Sequence, residues 1–393
     1  MIKKIEIIKN DKGAISTIVL VTILFFLTML STAYMVNVAH RKGQLESQLT
    51  TKKVYEKEFD EVENIINKYE EKEKLPSTKG TEPYYPSEKF KQVPGTDLDN
   101  GLVIKDVKGN EYVWIEVPND GTGPNYKAKN VTGPTDYANI EAAIKEYTSE
   151  YRTNYDDVYY ADATEGWFTD ATSYNNAKNK MLKSVYENGG FYIGRYEVGI
   201  EKNRTASGKT IVEPMSKPNL YPYNYVTRTQ AKVLAEKLST AEYTNTLMFG
   251  MQWDLVLKYL ETKGVAQADL KTNSTNWGNY KDATFPIDNT KAKKSEDDGA
   301  IFTELGASYT KPANKGVLLT TGADKRNSKQ NIYDLAGNVC EWTLEKTTNT
   351  DKPCNYRGGY HSSSGTDRPV AVRGTLSMSY NNSDIGFRFS LYK

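Results

Sequence analysis

The chain has 393 residues, 38% of them hydrophobic and 26% charged, enough to bury a sizeable core and too apolar for a disordered chain. Fifty-one basic against 50 acidic side chains leave a formal net charge of +1, which gives no electrostatic basis for a nucleic-acid partner. The only cysteines and histidines are Cys340, Cys354, His40 and His361, so a site of three imidazoles, or a His/Cys cluster, cannot be assembled within one copy.

Residues 15–36, "ISTIVLVTILFFLTMLSTAYMV", contain no charge. As a helix they would be about 33 Å long against a hydrocarbon core of roughly 30 Å, which predicts a retained transmembrane anchor. Residues 1–14 then form a cytoplasmic tail or a leader. The Lys12-Gly13 junction before an apolar helix also resembles the leader junction of type IV pilin-like proteins, although Ile18 stands where their usual Glu would be. In residues 37–75 the apolar positions Tyr55, Phe59, Val62, Ile66 and Tyr69 alternate spacings of four and three, so a stalk helix is expected. Its stripe is available for self-association or for packing as a lone helix. Pro76, Pro83, Pro86 and Pro94 mark residues 76–97 as a linker.

From residue 98 the pattern changes. "GLVIKDVKGNEYVWIEVP" reads as a hairpin around Lys108-Gly109-Asn110, and "GGFYIGRYEVGI" as a further strand, with helices expected at 137–148 and 175–187 between them. In "TRTQAKVLAEKL", Thr227 and Gln230 form a capping box and Ala231, Leu234, Ala235 and Leu238 share one face. The helix "GMQWDLVLKYLETKG" follows, with Gly264 as its stop. Short strands and many Asn, Gly and Ser turns complete an α+β domain over 98–393.

"NIYDLAGNVCEW" at 331–342, Arg357-Gly358-Gly359 and "IGFRFSL" at 385–391, following the strands and helices above in this order, resemble the formylglycine-generating enzyme, or sulfatase-modifying factor, family. The resemblance spans residues 98–393 and implies a C-type-lectin-like fold. That family includes copper oxidases, which use two cysteines a few residues after the Arg-Gly-Gly, and sulfoxide synthases with a three-histidine iron site. Here Ser362, Ser363 and Ser364 occupy the window, and a hydroxyl cannot replace a thiolate as a soft ligand or redox group. With one histidine in the domain the iron site fails as well, so a catalytically silent domain is expected. An active oxidase of the same family and a pilin-like filament subunit are the alternatives.

By resemblance, Gly337, Val339 and Glu341 are candidates for a calcium site, the only cofactor this reading allows; plain core architecture is the other reading of the same turn. Arg357 and Arg388 are expected to pair with acidic or carbonyl groups inside the domain. Cys340 and Cys354 are either a disulfide or two buried free thiols. The segment after Arg357 offers Tyr360, His361, Ser363, Thr366 and Asp367, and further on Ser377, Ser379, Tyr380, Asn381, Asn382 and Asp384. This mixture of aromatic anchors and adaptable hydrogen-bonding groups is that of a binding surface. It resembles the variable region of lectin-fold proteins diversified by retroelements. The expectation is a bacterial membrane-anchored receptor or adhesin with its C-terminal domain outside, binding a protein or glycan on another cell, a phage or a host.

Overall fold

The computed structural model describes residues 13–39, 54, 57, 74–152, 156–208, 212–306 and 308–393. The chain divides into two units, residues 1–74 and residues 75–393. In the first, helix α1 (Gly13–Ala39) contains the apolar run and leaves Leu20, Leu24, Phe26, Leu27 and Leu30 exposed. Its side chains are described for residues 20–33. Among the described residues no helix is long and apolar enough to cross a membrane. The expected stalk lies, apart from a few positions, outside the described residues.

The second unit is an α+β domain built on two sheets. Strands β1 (Lys91–Gln92), β2 (Val103–Lys105), β3 (Glu111–Glu116), β4 (Gly190–Gly194) and β5 (Thr244–Leu247) join the C-terminal β10 (Phe389–Tyr392). Their order is β1-β2-β3-β4-β10-β5, antiparallel throughout. The predicted hairpin is β2–β3, with Val103 opposite Val113. β3 is buried on both faces, Tyr112 to Ile115 being at most 1% exposed. This explains its nearly continuous apolar sequence, which lacks the alternation of a half-exposed strand.

Helices α2 (Tyr137–Tyr147) and α3 (Ala171–Asn188) lie between β3 and β4 in sequence. Helix α4 (Arg228–Glu236) carries the expected capping box. Thr227 Oγ1 accepts from Gln230 N at 3.2 Å, and Gln230 Oε1 accepts from Thr227 N at 3.0 Å. Helix α5 (Gly250–Thr262) ends before Gly264, whose φ of +92° is the left-handed conformation that stops a helix. A short α6 (Gln267–Lys271) follows. The second sheet contains β6 (Cys340–Lys346), β7 (Cys354–Arg357), β8 (Arg373–Leu376) and β9 (Ile385–Gly386) in the order β8-β7-β6-β9, with β6 and β9 parallel.

The segment expected as a linker is instead part of the domain. Leu75, Phe90 and Leu98 are buried, Glu82 N donates to Asn188 O at 2.7 Å, and Lys91–Gln92 forms the edge strand β1. Its prolines keep it extended, and the apolar side chains between them fasten it to the core.

Candidate functional site

The Arg-Gly-Gly turn delivers the chain from β7 into the window where the oxidases hold their thiols. Gly358 and Gly359 both have positive φ, and a Cβ on Gly359 would collide with Arg368 O, so this crossing needs glycine. The serines that follow build the turn. Ser363 Oγ donates to Tyr360 O at 2.8 Å and accepts from Tyr360 N at 3.2 Å, while Ser364 Oγ lies 3.1 Å from Thr366 Oγ1.

The binding residues expected from the sequence, apart from Ser363 and Asn382, separate into three groups. Tyr360, His361, Tyr380 and Asp384 belong to the first. His361 is buried, with Nδ1 3.0 Å from Asn338 O and Nε2 3.1 Å from Asp298 Oδ1. Both ring nitrogens lie within hydrogen-bond reach of oxygen atoms. The same bond holds the Asp298 carboxyl below its usual range. Tyr380 donates to Asp384 at 3.0 Å, and burial raises the Asp384 carboxyl above its ordinary value.

Ser377, Ser379 and Asn381 form the second group. They line a cavity of about 930 Å³ whose opposite wall is the start of α4, with Thr227, Gln230, Val233 and Leu234. Tyr223, Val226, Met378 and the charged Glu165, Arg204 and Asp351 are also in its lining. The α4 residues were missed in the sequence. The available signal was Val233, an apolar residue outside the buried stripe of α4. Thr366 and Asp367 line a second cavity, of about 720 Å³, beside Tyr151, Lys271 and Arg373. Asn382 lines neither cavity; its carbonyl accepts from Tyr225 N and its Oδ1 from Ser383 N.

The calcium candidates do not fit a cation. Glu341 is 1% exposed, and its carboxylate takes Arg388 Nε at 3.0 and 3.1 Å and Arg388 Nη2 at 2.6 Å. A guanidinium already supplies the positive charge, so the oxygen ligand that Gly337 and Val339 carbonyls would need to complement is engaged. Among the described residues no three His, Cys, Asp or Glu side chains are grouped to hold a metal. Arg388 also donates to Gly194 O and Tyr333 O, tying the two sheets together.

Arg357 has the partners its sequence context suggested. It lies 3.0 Å from Asp254 on α5 and 3.6 Å from Glu345 on β6. Arg152 and Arg373 join the same buried cluster, at 3.2 Å from Asp254 and 3.0 Å from Glu345 respectively. Asp157 caps the N-terminus of α5, accepting from Gly250 N at 2.6 Å and Met251 N at 2.8 Å.

The disulfide alternative fails. Cys340 and Cys354 are free and buried. Antiparallel register sets Glu341 opposite Arg357 and Lys346 opposite Cys354. The two cysteines therefore stand at opposite ends of the ladder, about 14 Å apart along β7 at roughly 3.4 Å per residue, whereas a bridge needs Cα atoms within about 7 Å. Burial pushes the Cys354 thiol up to about 11 and the Cys340 thiol well above its ordinary value, the opposite of an activated nucleophile.

No curated protein matches the chain. Among solved structures, one described as the crystal structure of CarF is similar at 15% identity over 52% of this chain and 87% of its own, with a TM-score of 0.34. Treponema denticola variable protein 1 is similar at 15% identity over 52% of this chain and 85% of its own, with a TM-score of 0.29. Residues 148–391, more than half of the chain, match the model of the sulfatase-modifying factor enzyme 1-like domain, and the chain belongs to that family.

Proposed function

We propose that this chain is a membrane-anchored surface protein whose sulfatase-modifying-factor domain, of C-type-lectin-like fold, binds a ligand and catalyses no reaction. The observation that carries this reading is the 930 Å³ cavity formed between α4 and the 377–381 segment. It lies within the size range of small-molecule and anchor-group sites, and its rim includes Ser377, Ser379 and Asn381, three of the residues that mark the segment as a binding surface. Serines after the Arg-Gly-Gly, together with two buried high-pKa thiols, support a domain without redox chemistry. The charge-free run at 15–36 supports the anchor, and the exposed leucines of α1 agree with it. The ligand is a protein or a glycan on another cell, a phage or a host surface, and the exposed polar positions are diversified by a retroelement.

Two experiments test this reading. The full-length protein in nanodiscs is screened against cells and a glycan array, beside a Val233→Trp variant that fills the cavity. Capture by the native protein that Val233→Trp abolishes supports the site, and capture that survives the variant rejects it. Sequencing the locus tests diversification: a near-copy of codons 355–393 differing at adenines, beside a reverse transcriptase, is expected. Absence of such a copy means a fixed partner or a structural role.

A further inference from the structure

Resting on the ligand-binding reading above, we infer that the outer edge of β8 docks an extended segment of a protein ligand, which joins the second sheet as an added strand. β8 ends that sheet on one side, and among the described residues no strand pairs its outer side. The register shows which groups face outward. Cys340 N donates to Asp384 O, on the side of β9, so the next residue, Glu341, turns its N–H and C=O towards β7, where it meets Arg357. Alternation along the ladder then turns Tyr356 towards its partner Gly374, and the N–H and C=O of Arg373 and Thr375 point away from the sheet. Exposure agrees with this. The Arg373 side chain is 4% exposed although the residue as a whole is half-buried, so what it presents to solvent is main chain.

The other three edges of the two sheets are blocked. On β5, Ser239 Oγ accepts from Asn245 N at 2.8 Å and donates to Asn245 O at 2.9 Å. On β1, Tyr85 Oη accepts from Gln92 N at 3.3 Å, and β9 is buried. Unpaired edges recruit strands, and folded proteins normally protect them; β8 is left open inside the segment that carries the binding residues. Its outward groups repeat every second residue, at about 6.8 Å. An extended polypeptide supplies the matching row, whereas a helix uses its N–H and C=O groups internally and a sugar's hydroxyls have no such repeat. Hollows lie at both ends of the strand. Val372 and Arg373 line the cavity of about 720 Å³, and Ser377 and Met378 line that of about 930 Å³. Residues 372–378 span about 20 Å at roughly 3.3 Å per residue, so an added segment of similar length sets side chains into both cavities. Main-chain bonds then supply affinity that is independent of sequence, while Thr366, Asp367, Ser377 and Ser379 around the cavities decide which side chains are accepted.

The test uses the full-length protein in nanodiscs and a phage-displayed library of linear heptapeptides. Thr375→Pro removes an outward N–H at a position where an edge strand accepts proline, and Thr375→Val keeps it. Enriched peptides are expected to bind the native protein and Thr375→Val alike, and Thr375→Pro about tenfold more weakly or worse. Synthetic copies N-methylated at one residue at a time should alternate along the sequence between loss and retention of binding, a pattern read on the native protein. Bound peptide should also slow amide hydrogen exchange within residues 372–378. No enrichment, binding that Thr375→Pro leaves intact, a methyl scan without alternation, or unchanged exchange overturns the inference. Self-association of the full-length protein that Thr375→Pro abolishes makes the occupant a second copy and overturns the assignment to a ligand. Cell or glycan capture that Val233→Trp abolishes and Thr375→Pro leaves unchanged overturns strand addition alone; capture that survives both variants rejects the binding site as well.

Discussion

Replacing Glu341 with Gln tests whether an arginine or a metal ion holds the Gly-Asn-Val-x-Glu-Trp turn. The carboxylate and the Arg388 guanidinium are 1% and 0% exposed, and Gln preserves shape while removing the charge. Breaking one side of a buried pair generally costs about 3–5 kcal/mol, because the remaining charge is left uncompensated. Arg388 would keep its bonds to Gly194 O and Tyr333 O, which favours the lower half of that range. Urea unfolding at pH 7 should therefore show Glu341→Gln destabilised by about 3 kcal/mol, a large fraction of a typical domain stability. Combining Glu341→Leu with Arg388→Met should recover only part of the loss. The double variant removes both charges but leaves two buried carbonyls without donors, at about 1–3 kcal/mol each. A loss below about 1 kcal/mol in Glu341→Gln, the range of exposed pairs, would refute the argument. So would a chelator that destabilises the native protein and has no effect on Glu341→Gln, because that pattern belongs to a bound cation.

Other predictions follow from the buried charges. Burial raises the Asp334 carboxyl to about 7 and the Glu197 carboxyl well above its ordinary value. The fold thus favours their protonated forms, and the stability they contribute is complete in acid and lost as pH rises through about 7. The thermal midpoint should fall between pH 5.5 and pH 8, with a shallower fall in Asp334→Asn. Lys311 shows the reverse sign. Its buried ammonium donates to the carbonyls of Lys281, Ala283, Pro312 and Lys315, and burial lowers it to about 8. Stability relative to Lys311→Met should rise as pH increases from about 8 towards the ordinary lysine value of about 10.4. Finally, protein purified in air and then denatured should titrate two thiols with Ellman's reagent; a single disulfide with none would contradict the register of β6 and β7.

Features that depend on local chemistry were legible in the sequence. The capping box of α4, the β2–β3 hairpin and the glycine stop after α5 each follow from residues a few positions apart, and each forms where expected. The partners of Arg357 and Arg388 were legible only as a class. Asp254 lies 103 positions from Arg357 and Glu341 47 from Arg388, and nothing local specifies such pairings. The segment 76–97 was misread because proline content outweighed Phe90, whose burial depends on the sheet beneath it. The binding surface was half legible. Its polar residues stand out along 360–384, but the chain distributes them among a His361 cluster and two cavities, and the α4 wall became visible only on folding. The even cysteine count left open both a bridge and two free thiols, and the antiparallel ladder forbids the bridge, since residues close in sequence are set at opposite ends of paired strands.

The central claim is that this sulfatase-modifying-factor domain retains the scaffold and carries no oxidase chemistry. Its most direct test is metal analysis of the full-length protein, expressed with added copper and iron, together with oxygen consumption in the presence of a thiol peptide. The account predicts copper and iron far below one atom per chain and no oxygen uptake above the buffer rate. One equivalent of either metal accompanied by thiol-dependent oxygen uptake would contradict it.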